Sequence, residues 1–201
     1  MGLISDGTTI FDAGAMSVGG SIKFIKKLTA SSSATLSFVD GSASVVLDST
    51  YKEYIFKCTS IHPETNAQAF SVNFTIDGTN WNVTKTTTVF RSQHDEADTD
   101  AGIQYQSSKD IAQGTGNQEL STEIGNDNDQ SCSGYLRLFN PSSTTFVKHF
   151  LATFNGYMDP DYSNQDFLAG YCNTTSAVTG VRFLFASGDI DAGTIKLYGV
   201  T

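Results

Sequence analysis

The segment FSVNFTIDGTNWNV, residues 70–83, decides the fold class of this chain. Apolar and polar or small side chains alternate over residues 70–76, which is the two-residue period of a half-buried β-strand. Asp77-Gly78 comes directly after this run, and this dipeptide supplies the positive φ angles of a tight turn. Because the apolar residues Trp81 and Val83 come next, the segment predicts a β-hairpin.

The same alternation recurs in short segments along the rest of the chain. The 14 Phe and 18 Gly residues, together with abundant Ser and Thr, favour pleated strands joined by turns. About eight to ten strands, no long helix and no internal repeat predict an all-β fold, a jelly-roll-like antiparallel β-sandwich. An immunoglobulin-like sandwich stays open as an alternative, although the Cys, Trp, Cys spacing of that fold is absent.

The first 21 residues differ in composition from the rest of the chain. Residues 1–21 are small and polar with scattered apolar positions, so we interpret them as an N-terminal arm that precedes a sandwich domain at 22–201. A free polar terminus of this kind is usually poorly ordered, and we expect the arm to dock onto a neighbouring subunit. Folding back onto its own domain is the alternative. The arm residues predicted to bind a partner are Ile4, Ile10, Phe11 and Met16.

The negative charge of the chain is concentrated in one insertion. The net charge is −9, from 21 acidic and 12 basic residues. Residues 93–130 hold nine of the acidic residues and a single lysine, Lys109. We expect an acidic insertion here with a short strand at Ile103 and Tyr105, a helical turn within residues 110–124, and loop elsewhere. So acidic a chain is a poor ligand for a phosphate backbone, and no nucleic-acid partner is expected.

Apolar runs and cysteines set two further expectations. No run approaches the roughly 18 to 20 residues that a membrane-spanning helix needs, and the first residues lack the basic and hydrophobic regions of a secretion signal. No membrane partner is therefore expected. Cys58, Cys132 and Cys172 are odd in number and far apart, which predicts reduced, buried thiols instead of a disulfide framework or a zinc site.

Catalytic motifs are missing from the sequence. His62, His94 and His149 are not at metal-ligand spacing, and no nucleophile elbow or phosphate-binding loop occurs. We therefore expect no enzymatic activity, no catalytic or metal-binding residues and no cofactor. The carboxylate-rich segments 94–100 and 126–129 leave calcium open, but they lack the EF-hand pattern, and a solvated acidic loop is the expected structure.

Four aromatic residues stand outside the alternating runs, where they could form a sugar-binding platform. Aromatic residues in loops also often cap a sandwich core, so a glycan site is the weaker of the two interpretations. The candidate glycan-contacting residues are Trp81, Tyr105, Tyr157 and Tyr162.

Several strings in the second part of the chain resemble a known family. They are STYKEYIFK with IHPET (49–65), NVTKTTT (82–88), LFNPSSTTFVKHF (138–150), AGYCNTTSA (169–177) and FASGDIDAGTIKLYGV (185–200). They are similar to virion structural proteins of marine tailed bacteriophages, over most of residues 49–200. Members of that family are labelled only as structural or tail-fibre proteins, so the resemblance implies a place in a virion and no catalytic residues.

The expected function depends on the resemblance, the sandwich and the arm together. We expect a non-enzymatic head decoration or cement protein, assembled in the bacterial host cytoplasm as a symmetric oligomer, a homotrimer. It would bind copies of itself and other virion proteins such as the major capsid protein, because many weak contacts on a lattice give high avidity. The alternative is a tail-fibre or tail-associated protein that binds host surface glycan.

Overall fold

The N-terminal strands are described by their backbone only. The computed structural model describes residues 21–201 and, before them, the backbone of three short strands, β1 (Leu3–Ser5), β2 (Thr8–Asp12) and β3 (Ala15–Met16). These three pair antiparallel in the order β1-β2-β3. The side chains for which arm contacts were predicted lie outside the described part of the structure, and the docking of the arm stays a prediction. They are Ile4, Ile10, Phe11 and Met16.

Twelve further strands account for most of residues 21–201. They are β4 (Ile22–Thr29), β5 (Leu36–Val39), β6 (Glu53–Pro63), β7 (Gln68–Thr75), β8 (Lys85–Asp95), β9 (Ala101–Tyr105), β10 (Gln118–Ile124), β11 (Cys132–Phe139), β12 (Lys148–Met158), β13 (Tyr162–Cys172), β14 (Gly180–Phe185) and β15 (Ile190–Val200). Alternation of buried and exposed side chains is clearest in β12. Among the described residues, no helix is long and apolar enough to cross a membrane.

These strands form one twelve-stranded antiparallel sheet that folds into two layers of unequal size, which we call the long sheet and the short sheet. The long sheet has the order β4-β15-β6-β11-β12-β13-β8-β9, and the short sheet has the order β10-β7-β14-β5. A single residue pair, Ile124 of β10 and Met158 of β12, joins them at one corner. The long sheet thus has an inner face, toward the short sheet, and an outer face that points away from it.

Phenylalanine rings from both sheets fill the space between them. Phe38 of the short sheet meets Phe56 of the long sheet with ring centroids 5.3 Å apart, and Phe74 meets Phe150 at 5.0 Å. All four rings are fully buried. Burial of each contributes about 1.5–3 kcal/mol. The predicted all-β, jelly-roll-like antiparallel sandwich is confirmed.

The predicted hairpin at Asp77-Gly78 is wrong, although its turn is present. Gly78 has a φ of 77°, and the Asp77 carboxylate accepts the backbone N–H groups of Thr79 at 2.9 Å and Asn80 at 2.7 Å. However, β7 pairs with β10 and β14, whereas β8 pairs with β13 and β9. The returning chain makes one backbone hydrogen bond to β7, from the Val83 N–H to the Phe74 carbonyl at 3.5 Å, and then crosses to the long sheet, where β8 begins at Lys85.

The acidic insertion is more closely built into the fold than the sequence predicts. Ile103 and Tyr105 lie on β9, as expected. Residues 110–124 contain no helical turn, and instead Gln118–Ile124 forms β10 at one edge of the short sheet. Leu120 and Ile124 are buried there. The apolar spacing is too irregular to indicate a strand because register shifts interrupt the pairing of β10 with β7.

Candidate functional site

One row of side chains crosses all eight strands of the long sheet on its outer face. Each member lies directly opposite the next in the register of the paired strands. Directly opposed residues of antiparallel strands point to the same face. We call this set the outer row. From β4 to β9 it consists of Lys27, Lys196, Lys57, Tyr135, Thr153, Phe167, Phe90 and Tyr105.

The half of the outer row nearer β9 is aromatic. Phe90 and Phe167 are stacked, with ring centroids 4.8 Å apart and planes inclined by 10°. Tyr105 is 56% exposed and Phe90 is 44% exposed. We call Phe167, Phe90 and Tyr105 the aromatic half. Side by side, these rings leave contiguous apolar surface in contact with water.

Exposed apolar side chains gather on the same face. Among the described residues, nine large apolar side chains are exposed, and seven of them lie on the outer face. Ile76 and Phe146 are the two that lie elsewhere. Contiguous apolar surface of this kind marks interaction sites more often than single exposed residues do. The seven are Ile22, Phe24, Phe90, Ile103, Tyr105, Tyr135 and Leu151.

Two shallow depressions lie side by side at the centre of the outer face. One has a volume of about 250 Å³ and is bordered by Tyr135, Leu151 and Phe167, and the other has a volume of about 720 Å³ and is bordered by Ile55 and Tyr135. Arg137 borders both. Its guanidinium pairs with the Glu53 carboxylate, which raises the pKa of Arg137. The centre of the face is therefore apolar with one neutralised ion pair.

The other end of the outer row is basic. Lys196 lies directly opposite Lys27 on one side and Lys57 on the other. We call these three the lysine half. In the described part of the chain, none of the three takes part in an ion pair. Like charges placed opposite each other destabilise a sheet, so this end of the face is suited to receive negative charge or electron-rich groups.

A separate polar depression lies where β8 ends, and it brings the two acidic segments together. Its volume is about 600 Å³, and its lining includes His94 and Glu96 from the first segment and Asp129 from the second. Tyr157 and Tyr162 also line it. Hydrogen bonding to the Glu96 carboxylate raises the pKa of Tyr157 to about 12, so this phenol stays neutral and able to donate.

The carboxylates near this depression are largely used by the chain itself. Asp95 accepts the backbone N–H of Thr99 at 2.8 Å and that of Asp100 at 2.9 Å, and these hydrogen bonds lower its pKa. Asp98 lies 3.1 Å from the His94 ring. Within the described residues, no group of three or more His, Cys, Asp or Glu side chains is arranged to hold a metal ion.

No family model, curated protein or solved structure matches this chain.

The predicted glycan residues do not form one platform. Tyr157 and Tyr162 share the polar depression. Tyr105 lies at the end of the outer row, where its hydroxyl donates to Asp110 at 2.5 Å. Trp81 lies under the Arg182 guanidinium of β14, 4.8 Å from its ring centroid, and does not line the depression.

The three cysteines are free and buried, as predicted. Cys172 sits between Lys148 and Lys85 in one inward-facing row of the long sheet. Burial raises the pKa of the Cys172 thiol to about 12 and lowers that of the Lys85 ammonium to about 8. Lys85 donates to the Gly116 carbonyl at 2.6 Å, and Lys148 donates to the Thr174 carbonyl at 3.1 Å. These groups lie within the sandwich and take no part in the outer face.

Sequence reasoning missed the outer face. Its signal is present as consecutive apolar residues, Phe150-Leu151 and Phe167-Leu168, which place apolar side chains on both faces of one strand. On the sequence alone, such pairs indicate only that a strand is present. Their alignment across the sheet, and the alignment of the three lysines, depends on register between distant segments.

Proposed function

We propose that this protein is a non-enzymatic structural subunit of a bacteriophage virion, a head decoration or cement protein that holds neighbouring subunits together. The observation that carries the proposal is the outer face of the long sheet, where seven exposed apolar side chains lie in the outer row or on the same face beside it. The placement in a virion is supported by the sequence resemblance of residues 49–200 to virion structural proteins.

The chemistry of the outer face suits binding better than catalysis. Its side chains are apolar rings, lysines and one ion pair of Arg137 with Glu53. Burial of such a face against neighbours would remove apolar surface from water at about 25 cal/mol per Å². A particle repeats each contact many times, so contacts of modest strength suffice. The same repetition would apply to contacts made by the N-terminal arm, and to contacts with copies of this chain and with a major capsid protein.

The second candidate, a tail-associated protein that binds host glycan, is favoured by the polar depression. Tyr157 and Tyr162 line it together with Asn155 and Ser163. Aromatic rings beside amide and hydroxyl groups are the side chains that sugars contact. The depression is open and acidic, so this candidate requires an uncharged or basic glycan.

The test measures binding to virions that lack the chain. Full-length protein and a Phe90→Glu/Leu151→Glu variant are added to virions of the encoding phage, produced with the gene disrupted. We expect the variant to bind at least about tenfold more weakly, since two charges would be buried in the apolar contact between neighbouring subunits, copies of this chain included, and the repeated attachment would be lost. Phe146→Glu, at an exposed position outside the outer face, is the control and should bind normally.

Copy number separates the two candidates. Hundreds of copies per native virion support head decoration, and a few dozen or fewer support the tail. Full binding by the double variant, or absence of the chain from native virions, would contradict the proposed function.

A further inference from the structure

We infer that the outer face of the long sheet binds the outer face of a second copy of this chain, in a two-fold dimer. This inference rests on the proposed function, in which the outer face is a contact surface. It adds that the partner at this face is a second copy of the chain. Three properties of the outer row support it: its order, its charges and its size.

The order of the outer row makes the face complementary to itself. A two-fold axis parallel to the strands, passing between Tyr135 and Thr153 at the middle of the row, exchanges its two ends. Because the row has eight members, the rotation brings each lysine of one copy over a ring of the other. The resulting pairs are Lys27 with Tyr105, Lys196 with Phe90, and Lys57 with Phe167.

Each of these pairs is chemically favourable. A lysine ammonium over an aromatic face is attracted by the electron-rich ring, and the attraction grows when water is excluded. The pairing also moves the lysine half of each copy next to carboxylates. Asp110, which accepts the Tyr105 hydroxyl at 2.5 Å, would lie beside Lys27 of the other copy. The repulsion among the three lysines is then offset at both ends of the dimer.

The size of the face matches a stable interface. Eight strands at about 4.8 Å spacing span about 38 Å, and about six residues along each strand span about 20 Å. The product is about 750 Å² per copy, close to the roughly 800 Å² per partner of standard interfaces. Two sheets that pack face to face in β-sandwiches keep their strand directions within about 30° of each other, so closely aligned strands are an arrangement that sandwiches already use.

Charge complementarity favours a second copy over an unrelated acidic partner. An acidic surface would neutralise Lys27, Lys57 and Lys196 but would leave the stacked Phe90 and Phe167 rings facing carboxylates. A purely apolar surface would cover the rings and bury the lysines unpaired. In a contact between two copies, the lysines of each copy meet the aromatic rings of the other, in matching order and at both ends of the interface.

The experiment measures the mass of the full chain by sedimentation at micromolar concentration. We expect twice the monomer mass of 21.6 kDa. The Lys27→Glu/Lys196→Glu variant should dissociate, with a dissociation constant at least about tenfold higher. The control for charge reversal is Lys52→Glu, which lies outside the outer row, next to β6, and should remain dimeric.

A mixing experiment tests the pairing itself. Phe90→Lys/Tyr105→Lys places lysines at both ends of the row, so this variant should also be monomeric alone. Mixed with Lys27→Glu/Lys196→Glu, it should form a one-to-one dimer, because glutamates then meet lysines at one end and native pairs form at the other. Circular dichroism of each variant alone verifies that it is folded.

The outcomes are distinct. A monomeric full chain, a trimer, or a dimer unaffected by these variants would overturn the inference, and a trimer would do so because a three-fold ring needs two different surfaces. If the chain is monomeric but the Phe90→Glu/Leu151→Glu variant still loses virion binding, the proposed function stands without the dimer. If the dimer forms but the chain is absent from virions, the inference stands and the proposed function fails.

Discussion

The two faces of the long sheet are made by the same strands and yet have opposite surroundings. On the inner face, Phe56 and Leu136 are fully buried against the short sheet. On the outer face, the neighbouring residues along the same strands are Lys57 and Tyr135, and both are exposed. Strand alternation assigns side chains to faces, but only the second layer decides which face becomes a core. An apolar side chain on the outer face therefore contributes little to folding and is left for the proposed contact.

The inner face also changes character along its length. Under β6, β11 and β12 it is covered by phenylalanine rings, whereas under β8 and β13 buried polar side chains lie beside Val89 and Leu168. Arg91 and Asp166 lie directly opposite each other there, with Nε 3.1 Å from Oδ1, and both are buried. The strand nearest to them in the short sheet is β10, which has polar residues such as Ser121 and Thr122 buried. Polar residues on both sheets thus face each other at this end.

The largest expected effect comes from comparing the same kind of substitution on the two faces of the long sheet. Phe56→Ala on the inner face should lower the free energy of unfolding by about 3–5 kcal/mol, since it removes a fully buried ring and leaves a cavity. Phe90→Ala on the outer face should lower it by less than about 1 kcal/mol in the monomer, because the ring is already 44% exposed. Urea unfolding of both variants is the measurement. Equal losses would mean that the outer face is part of the folding core.

A smaller effect is expected from the polar end of the inner face. Asp166→Asn keeps the shape of the side chain but leaves the buried Arg91 without a carboxylate, which should cost about 3 kcal/mol. Asn164 Nδ2 donates to Asp166 Oδ2 at 2.9 Å, and in the variant this acceptor would no longer be charged. The double variant Arg91→Met/Asp166→Leu should be more stable than either single charge removal. The check is a double-mutant cycle by urea unfolding, and purely additive losses would show that the two charges are not coupled.

The strands and the sandwich could be predicted from the sequence because their signal is local. Alternation over residues 70–76 and 146–154 identifies strands whatever they pair with. The pairing itself could not be predicted, since the tight turn at Asp77-Gly78 has the same local chemistry whether the next strand returns beside β7 or crosses to the other sheet. The outer row could not be predicted for the same reason. Lys27, Lys57 and Lys196 become neighbours only through register between β4, β15 and β6.

The smallest effect concerns Lys85, the inner-face lysine whose pKa is lowered to about 8. Its ordinary value of 10.5 applies in the unfolded chain, so between pH 8 and 10.5 the unfolded state binds more protons than the folded state. Stability linked to Lys85 therefore rises with pH through this window and is lost as pH falls through 8. The free energy of unfolding of the native chain, minus that of Lys85→Met, should increase by about 1–3 kcal/mol from pH 7.5 to 10.5. Unfolding in urea across this range measures the difference, with Lys52→Met as the control for loss of an exposed lysine. A difference that does not change with pH would mean that the Lys85 ammonium, beside the Gly116 carbonyl, is solvated well enough to keep its ordinary pKa.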